Sequence, residues 1–197
     1  MGNKYKKTFM RIAYVWAEES YCKRRKVGAV IVKDNRDIAP GYNGTVSGAD
    51  NCCEEEYGEP SKEESTVTRQ LFNSSIEETA QSYCKKNGLI FVSVKKLDAG
   101  MVRIVYKRPS LRTKASVVHA EANAIAFAAK KGIPVENCKL FVTLSPCMNC
   151  ANLIIQSGIK EVFYSEEYRD TSGIEYLKEN GIKVEQYEME NPFNEEG

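Results

Sequence analysis

The sequence predicts an α/β protein built on a layered sheet that is at least partly parallel. Three observations carry this. Beyond residue 118, helical and strand patterns alternate regularly, as in chains that wind helices over a sheet. Val27-Gly28-Ala29-Val30-Ile31-Val32 is an unbroken apolar run that reads as a buried strand. Gly132, Gly158 and Gly181 each end a helical stretch shortly before the next strand pattern.

Taken in order, residues 4–20 carry an apolar stripe of Phe9, Ile12, Ala13, Tyr14 and Trp16 that predicts the first helix. The strand at 27–32 turns at Asp34-Asn35 into a second strand over 36–42, a hairpin running into Gly41-Tyr42-Asn43-Gly44. The character then changes over about 55–114. Glu-rich sequence leads to a helix expected near 66–86, with strands expected at 89–94 and 102–106. With few apolar residues for a core of its own, this stretch reads as an insertion into a single domain spanning 1–197. The alternation resumes with an Ala-rich helix over 119–131 and a strand at 140–144. A helix over 146–157, a strand at 161–164, a short helix at 174–180 and a last strand at 182–186 follow.

Composition excludes several classes. A chain of 197 residues with 42% apolar and 28% charged content is long enough to bury a real core. Its net charge of +1 gives no global basic field for nucleic acid or a membrane surface. Charge is uneven locally, with residues 81–114 at +8 and 166–197 at −7, blocks that ordinarily form solvated faces. No apolar run approaches the roughly 20 residues that span a bilayer. Lys4, Lys6 and Lys7 are not followed by a signal-type apolar region, so a cytoplasmic protein is expected, in the host cytoplasm if phage-encoded. Seven cysteines, two of them in Cys-x-x-Cys, favour metal binding over a disulfide framework.

The chemistry concentrates in two short motifs. The single histidine stands in His119-Ala120-Glu121, and the paired cysteines in Pro146-Cys147-Met148-Asn149-Cys150. A histidine alone is more often structural, and Cys-x-x-Cys alone also suits a redox pair or half a structural zinc site. Together they match the H-x-E…P-C-x-x-C arrangement already known of zinc deaminases acting on nucleobases. A catalytic Zn²⁺ takes three protein ligands and keeps a fourth position for water, whose pKa it lowers to about 7. Cys147 and Cys150, three apart, share a helix face, with Ser145 read as the N-cap and Pro146 as the first helical residue. The positive end of that helix favours thiolates. His119 supplies the third ligand, and Glu121 carries the proton. Residues two apart lie nearly opposite on a helical wheel, so the Glu121 role rests on the motif and not on spacing.

These residues resemble the deoxycytidylate (dCMP) deaminases, especially the phage and Gram-positive branch. The matching stretches are residues 26–31, 41–44, 119–125 and 143–151, with Ser157-Gly158-Ile159-Lys160 and Glu167-Tyr168 beyond them. Ser145 before Pro146 is similar to the dCMP type, where tRNA adenosine and guanine deaminases usually carry Glu. The resemblance implies a three-layer α/β/α cytidine-deaminase-like fold, with a mixed five-stranded sheet and an insertion before the catalytic helix. It implies hydrolysis of dCMP to dUMP and ammonia, supplying dUMP for thymidylate synthesis. It also implies that Asn43 holds the sugar hydroxyl or phosphate, the Ala120 backbone the base carbonyl, the Ser145 carbonyl the amine, and Tyr168 the phosphate. A homohexamer activated by dCTP with Mg²⁺ and inhibited by dTTP is implied too, with Lys26 and Gly44 at the allosteric nucleotide. There the chain departs from the pattern, having Val46 where the family usually has proline. Phage relatives hold a second, structural zinc with cysteines and histidines. Lacking a spare histidine, this chain offers only Cys22, Cys52, Cys53 and Cys84 as a four-thiolate substitute, and buried free thiols are the stronger expectation.

The small-molecule reading has two rivals. A tRNA or single-stranded DNA deaminase needs a basic groove with exposed aromatics, for which 81–114 is the only candidate segment. A zinc-stabilised binding protein without activity would have no need of Glu121.

Overall fold

The structure is a computed structural model and describes residues 2–70 and 75–193. In chain order its elements are α1 (Asn3–Glu18), β1 (Gly28–Lys33), β2 (Arg36–Tyr42), β3 (Glu54–Glu56), β4 (Glu64–Gln70), α2 (Ile76–Lys86), β5 (Ile90–Lys96) and β6 (Met101–Lys107). β7 (Leu111–Thr113), α3 (Ala120–Lys131), β8 (Lys139–Leu144), α4 (Met148–Gln156), β9 (Glu161–Glu166), α5 (Ser172–Glu179) and β10 (Lys183–Gln186) follow. The chain divides into two compact bodies, one formed by residues up to Cys53 and from Lys114 onward, the other by Glu54–Thr113.

The first body holds a five-stranded sheet in the order β10-β9-β8-β1-β2. β8, β9 and β10 run parallel, while β1 is antiparallel to both β8 and β2. This is the mixed α/β sheet expected. Asp34 and Asn35, at φ 48° and 57°, make a two-residue hairpin loop between Lys33 and Arg36, a left-handed pair matched to strand twist. Pro40 is tolerated because β2 is an edge strand.

Alternation sends the central strands' side chains to two cores. Ala29, Ile31, Leu140, Val142 and Val162 pack with Ala120, Ala124 and Ala128 of α3, Ala151 and Ile154 of α4, and Ile174 and Leu177 of α5. Val30, Val32, Phe141 and Phe163 pack with Phe9, Met10, Ala13 and Tyr14 of α1. Burial on both faces is why these strands read as continuous apolar runs. Phe141 and Phe163 stack with centroids 4.6 Å apart, a pair that contributes about 1 kcal/mol beyond its area. Three layers result: α1, the sheet, and α3 to α5.

The second body departs from the reading of 66–86 as one helix. Residues 64–70 form β4, because Thr66, Val67 and Thr68 are β-branched and alternate, with Val67 turned to the core. The helix begins only at Ile76, and residues 71–74 lie outside the described residues. β4, β6 and β5 form an antiparallel sheet in that order. Contrary to expectation this stretch has a small core of its own, where Ala80 and Cys84 of α2 meet Val102 and Ile104 of β6. The short strands β3 and β7, unread in the sequence, pair where the chain enters and leaves this body.

Two glycines let helices lie directly on strands. A Cβ on Gly28 would sit 1.9 Å from the Ala13 carbonyl oxygen and 2.5 Å from the Ala17 nitrogen of α1. A Cβ on Gly41 would sit 2.3 Å from the Ala120 oxygen and 2.4 Å from the Ala124 nitrogen of α3. Since backbone cannot yield locally, Gly28→Ala is expected to cost about 3 kcal/mol or more in urea unfolding. Gly44→Ala, whose Cβ would find its nearest neighbour at 4.0 Å, should stay within about 0.5 kcal/mol of the parent. Equal losses in the two variants would refute the close-packing account.

Candidate metal centre and active site

The strand register brings four loops to one end of the first body's sheet. Gly28 pairs with Tyr42, the Gly28 N–H donates to Thr143 Oγ1 at 3.2 Å, and Leu144 pairs with Glu166. The chain therefore leaves β2, β8 and β9, and enters β1, at the same edge. There Gly44 and Val118 exchange backbone hydrogen bonds of 3.1 and 2.8 Å, setting residue 119 beside the Gly-Tyr-Asn-Gly loop.

His119 and Cys147 are the residues that open α3 and α4, and neither is helical. Both are extended N-caps, with φ/ψ of −74°/155° and −77°/171°. The helix over 146–157 thus begins two residues later than expected. Cys147 rather than Ser145 is its N-cap, and Cys150 lies one turn in. Because His119 precedes the helix, the wheel argument that set it opposite Glu121 does not apply, and both side chains turn to the same place.

His119 Nδ1 lies 3.5 Å from Cys147 Sγ and 3.5 Å from Cys150 Sγ. All three ligand atoms fall within 4.8 Å of one another, the only such group among the described residues. A tetrahedral zinc with Zn–S near 2.3 Å and Zn–N near 2.05 Å would place nitrogen and sulfur about 3.6 Å apart, so the spacing fits the ion's ligand edge. Cys150 is buried, Cys147 half-buried and His119 exposed, which leaves the solvent side of the triad open to a fourth ligand.

The electrostatics suit a cation. Hydrogen bonds from Cys150 and His119 hold the Cys147 thiol down to about 3, and the Cys150 thiol is pushed up by sharing that bond and by burial. One thiolate is thus ready-made, and a metal would displace the proton from the other. The bond to Cys147 raises the His119 imidazole. Glu121 is buried in the first turn of α3 within hydrogen-bonding reach of Cys150, and burial raises its carboxyl above the ordinary range. A non-ligand carboxyl raised by burial beside a metal triad is suited to taking and returning a proton.

Ala120 is the first residue of α3, so its amide is one of four with no partner inside the helix. Ser145 is buried. Its N–H donates to the Glu166 carbonyl at 2.9 Å, and its Oγ accepts from the Tyr168 N–H at 2.8 Å. Tyr168 is thereby tethered to the residue preceding Pro146. Buried Asn43 is an internal clasp: its Oδ1 accepts from the Val27 N–H, its Nδ2 donates to the Arg25 carbonyl, and its own carbonyl accepts from Ser20 Oγ. Lys26 lies at the surface with its ammonium toward the Glu18 carbonyl and carboxylate.

The four-thiolate arrangement does not form. Cys22 and Cys53 are joined in a disulfide, Cys52 is exposed, and Cys84 is buried in the second body's apolar core, which raises its thiol. Cys22 and Cys53 are therefore bonded to each other instead of standing as buried free thiols. A thiol kept protonated by apolar burial is a poor metal ligand.

Sequence reasoning missed three residues that position the site. Asn123 Nδ2 donates to the Tyr42 carbonyl at 2.9 Å and ties α3 to the loop after β2. Arg25 reaches Glu166 at the end of β9. Gly173, in the first turn of α5, lies so near the ligand loop that a Cβ would stand 2.2 Å from the Pro146 oxygen and 2.7 Å from the Cys147 carbon. Only the last had a signal, a glycine one residue into a helix.

Residues 3–166 match the family model described as the cytidine and deoxycytidylate deaminase zinc-binding region. The chain belongs to this family. It is similar to the deoxycytidylate deaminase of Enterobacteria phage T4, at 37% identity over 182 residues covering 90% of this chain and 86% of the relative. It also resembles ComE operon protein 2 of Bacillus subtilis, at 31% identity over 92% of this chain and 70% of that one. Among solved structures, the dCMP deaminase of cyanophage S-TIM5 in complex with dCMP and dUMP matches with a TM-score of 0.64. It is 31% identical and covers 95% of this chain and 99% of its own. No helix among the described residues is long and apolar enough to cross a membrane.

Gly173→Ala is expected to shift Cys147 and weaken zinc binding by about 10–100-fold, the usual cost of disturbing what orients a ligand. Competition with a chromogenic chelator measures this, and parental affinity in a folded variant would contradict the role.

Proposed function

We propose that this protein catalyses the hydrolytic deamination of dCMP to dUMP and ammonia. The carrying observation is Glu121, a buried carboxyl that is not a ligand, set beside three ligand atoms at tetrahedral spacing. The phage relative and the cyanophage enzyme bound to dCMP and dUMP support the substrate. His119, Cys147 and Cys150 would hold zinc, which when bound supplies a Lewis acid able to activate water at neutral pH.

The protein's own groups do the rest. Glu121 accepts a proton from the attacking water and delivers it to the ring nitrogen, then takes the proton of the new C4 hydroxyl and passes it to the amine, so that ammonia leaves as the C4 oxygen becomes a carbonyl. Its raised pKa suits both directions of transfer. The Ala120 amide faces the base carbonyl, and the Ser145 carbonyl accepts from the exocyclic amine. Asn43 meets the sugar hydroxyl or the phosphate, and Tyr168 contacts the phosphate. Together these readings favour a free nucleotide as substrate, with no nucleic acid or membrane partner, in the cytoplasm.

Regulation follows the same reasoning. dCTP with Mg²⁺ as activator and dTTP as inhibitor would act through Lys26 and Gly44, in a homo-oligomer of hexameric type. The exchange of hydrogen bonds between Gly44 and Val118 supports this, since it connects that loop to His119.

Glu121→Ala should lower turnover of dCMP by about 100- to 10,000-fold while zinc content stays at one per chain. Parental turnover in that variant would remove the mechanism. A substrate series with and without dCTP–Mg²⁺ and dTTP should give a sigmoidal curve made hyperbolic by dCTP. A curve hyperbolic throughout would remove the regulation and leave the catalysis.

A further inference from the structure

Cys22 and Cys53 are joined in a disulfide, while the five remaining cysteines are not bonded to one another. Neither bonded residue lies in a helix or a strand of the main sheet. Cys22 stands in the loop between α1 and β1, and Cys53 is the last residue of the first body before the insertion. Among the described residues only Val117 shares their small buried cluster, which is separate from the two cores that pack the sheet. The bond therefore ties loops to each other and leaves the packing of the sheet alone.

Those loops reach the metal ligands from two directions. On one side the Cys22 N–H donates to Ser20 Oγ at 3.2 Å, and Ser20 Oγ donates to the Asn43 carbonyl at 2.8 Å. Gly44, next in the chain, exchanges backbone hydrogen bonds with Val118. On the other side the Cys53 carbonyl accepts from the Lys114 N–H at 2.9 Å, and the Lys114 carbonyl accepts from the Val117 N–H at 3.1 Å. Both routes end at Val118, the residue before His119. The disulfide closes them into one circuit. Cutting it leaves residues 114–118 held at that end by backbone hydrogen bonds and the packing of Val117.

The setting suits exchange with a small thiol. Both cysteines are buried, yet Tyr21, Lys23 and Cys52 beside them are exposed, so a local opening of either loop brings the bond to solvent. Lys23-Arg24-Arg25-Lys26 follows Cys22 directly. Cysteines in such electropositive runs react as thiolates, and the same charge draws an anionic thiol compound. In the cytoplasm proposed for this protein, small thiols keep most cysteines reduced, and a disulfide formed there is usually reversible.

We propose that Cys22 and Cys53 are a thiol–disulfide exchange site for a small anionic couple of the glutathione type, and that their bond regulates the metal centre through residues 114–118. On oxidation the two thiols give two electrons and two protons to the disulfide of the couple, which leaves as two thiols. Reduction runs through a mixed disulfide. The small thiolate bonds one cysteine sulfur, and the other departs as a thiolate and takes a proton. A second small thiol then removes the first as the couple's disulfide and frees the remaining cysteine. The oxidised form holds His119 in place, and the reduced form loosens the segment before it. As regulation of the same site the inference rests on the deaminase reading, but its main readouts need no substrate.

The test is a titration of the zinc-loaded protein across ratios of reduced to oxidised glutathione, with thiols mapped by alkylation and peptide mass. Cys22 and Cys53 should pass together from disulfide to two thiols. On reduction the Gly44 and Val118 amides should exchange faster with deuterium, while those of β8 and β9 keep their oxidised rates. Zinc affinity, read by chelator competition, should fall by about 10-fold, the lower end of the cost of disturbing what orients a ligand. Cys22→Ser should show the reduced behaviour at every ratio. A pair that stays in one state at every ratio overturns the proposal, as do equal exchange and zinc affinity in the two forms. A Cys22→Ser variant that still responds also overturns it. Should that variant fail to fold, the titration of the parent decides alone. If the parent deaminates no cytosine nucleotide, the deaminase reading falls by itself, while thiol mapping, exchange and zinc affinity still judge this one.

Discussion

The site depends on two helix N-termini meeting closely enough for their caps to share one ion. His119 and Cys147 lie 28 residues apart, yet their ligand atoms stand 3.5 Å from each other. Such proximity is costly for two helices, whose first turns both present unpaired N–H groups and the same positive dipole end. Thiolate charge offsets this repulsion. The Cys147 thiol, lowered by hydrogen bonds from Cys150 and His119, supplies that charge where the two helices meet.

The meeting is enforced from outside by backbone contacts that exclude side chains. Gly41 lets β2 lie against the first turn of α3, and Gly173 lets α5 press on the loop of Cys147. Asn123 of α3 donates to the Tyr42 carbonyl, and Asn43 of the same loop accepts from the Val27 N–H, so α3 is held against a loop that is itself tied to β1's approach. Among the described residues no buried side-chain nitrogen or oxygen lacks a partner. That matters at a site where Glu121, Asn43, Thr143 and Ser145 are all buried, since each unpaired group would cost roughly 1–3 kcal/mol.

Much of this was legible in the sequence. The two motifs named the triad and Glu121. The unbroken apolar runs marked the inner strands, and Gly132, Gly158 and Gly181 the helix ends. What was not legible depended on long-range partners. The convergence of His119 and Glu121 looked forbidden on a wheel because periodicity assumes a helix already under way, and His119 is still extended. The Thr66–Thr68 segment was misread because Glu-rich flanks suggested helix, while pairing to β6 decided for strand. The role of Cys22 and Cys53, 31 residues apart, could not be read from counting cysteines. Arg25 carries no signal in a run of four cations, and only the end of β9 singles it out.

Charge in this molecule is arranged by depth. On the floor, the Glu121 carboxyl and the Cys150 thiol are buried beside Cys147 and His119, and burial raises both groups. At the rim, Arg25 and Glu166 stand in water, where their attraction is screened and their geometry easily exchanged. A proton-transfer step needs the first condition, because a group that solvent can titrate freely loses its tuned pKa. The clasp at Asn43 joins the two levels: its amide is buried with the floor and its hydrogen bond ends on the backbone of the rim arginine. Loop and floor are therefore joined through one buried side chain.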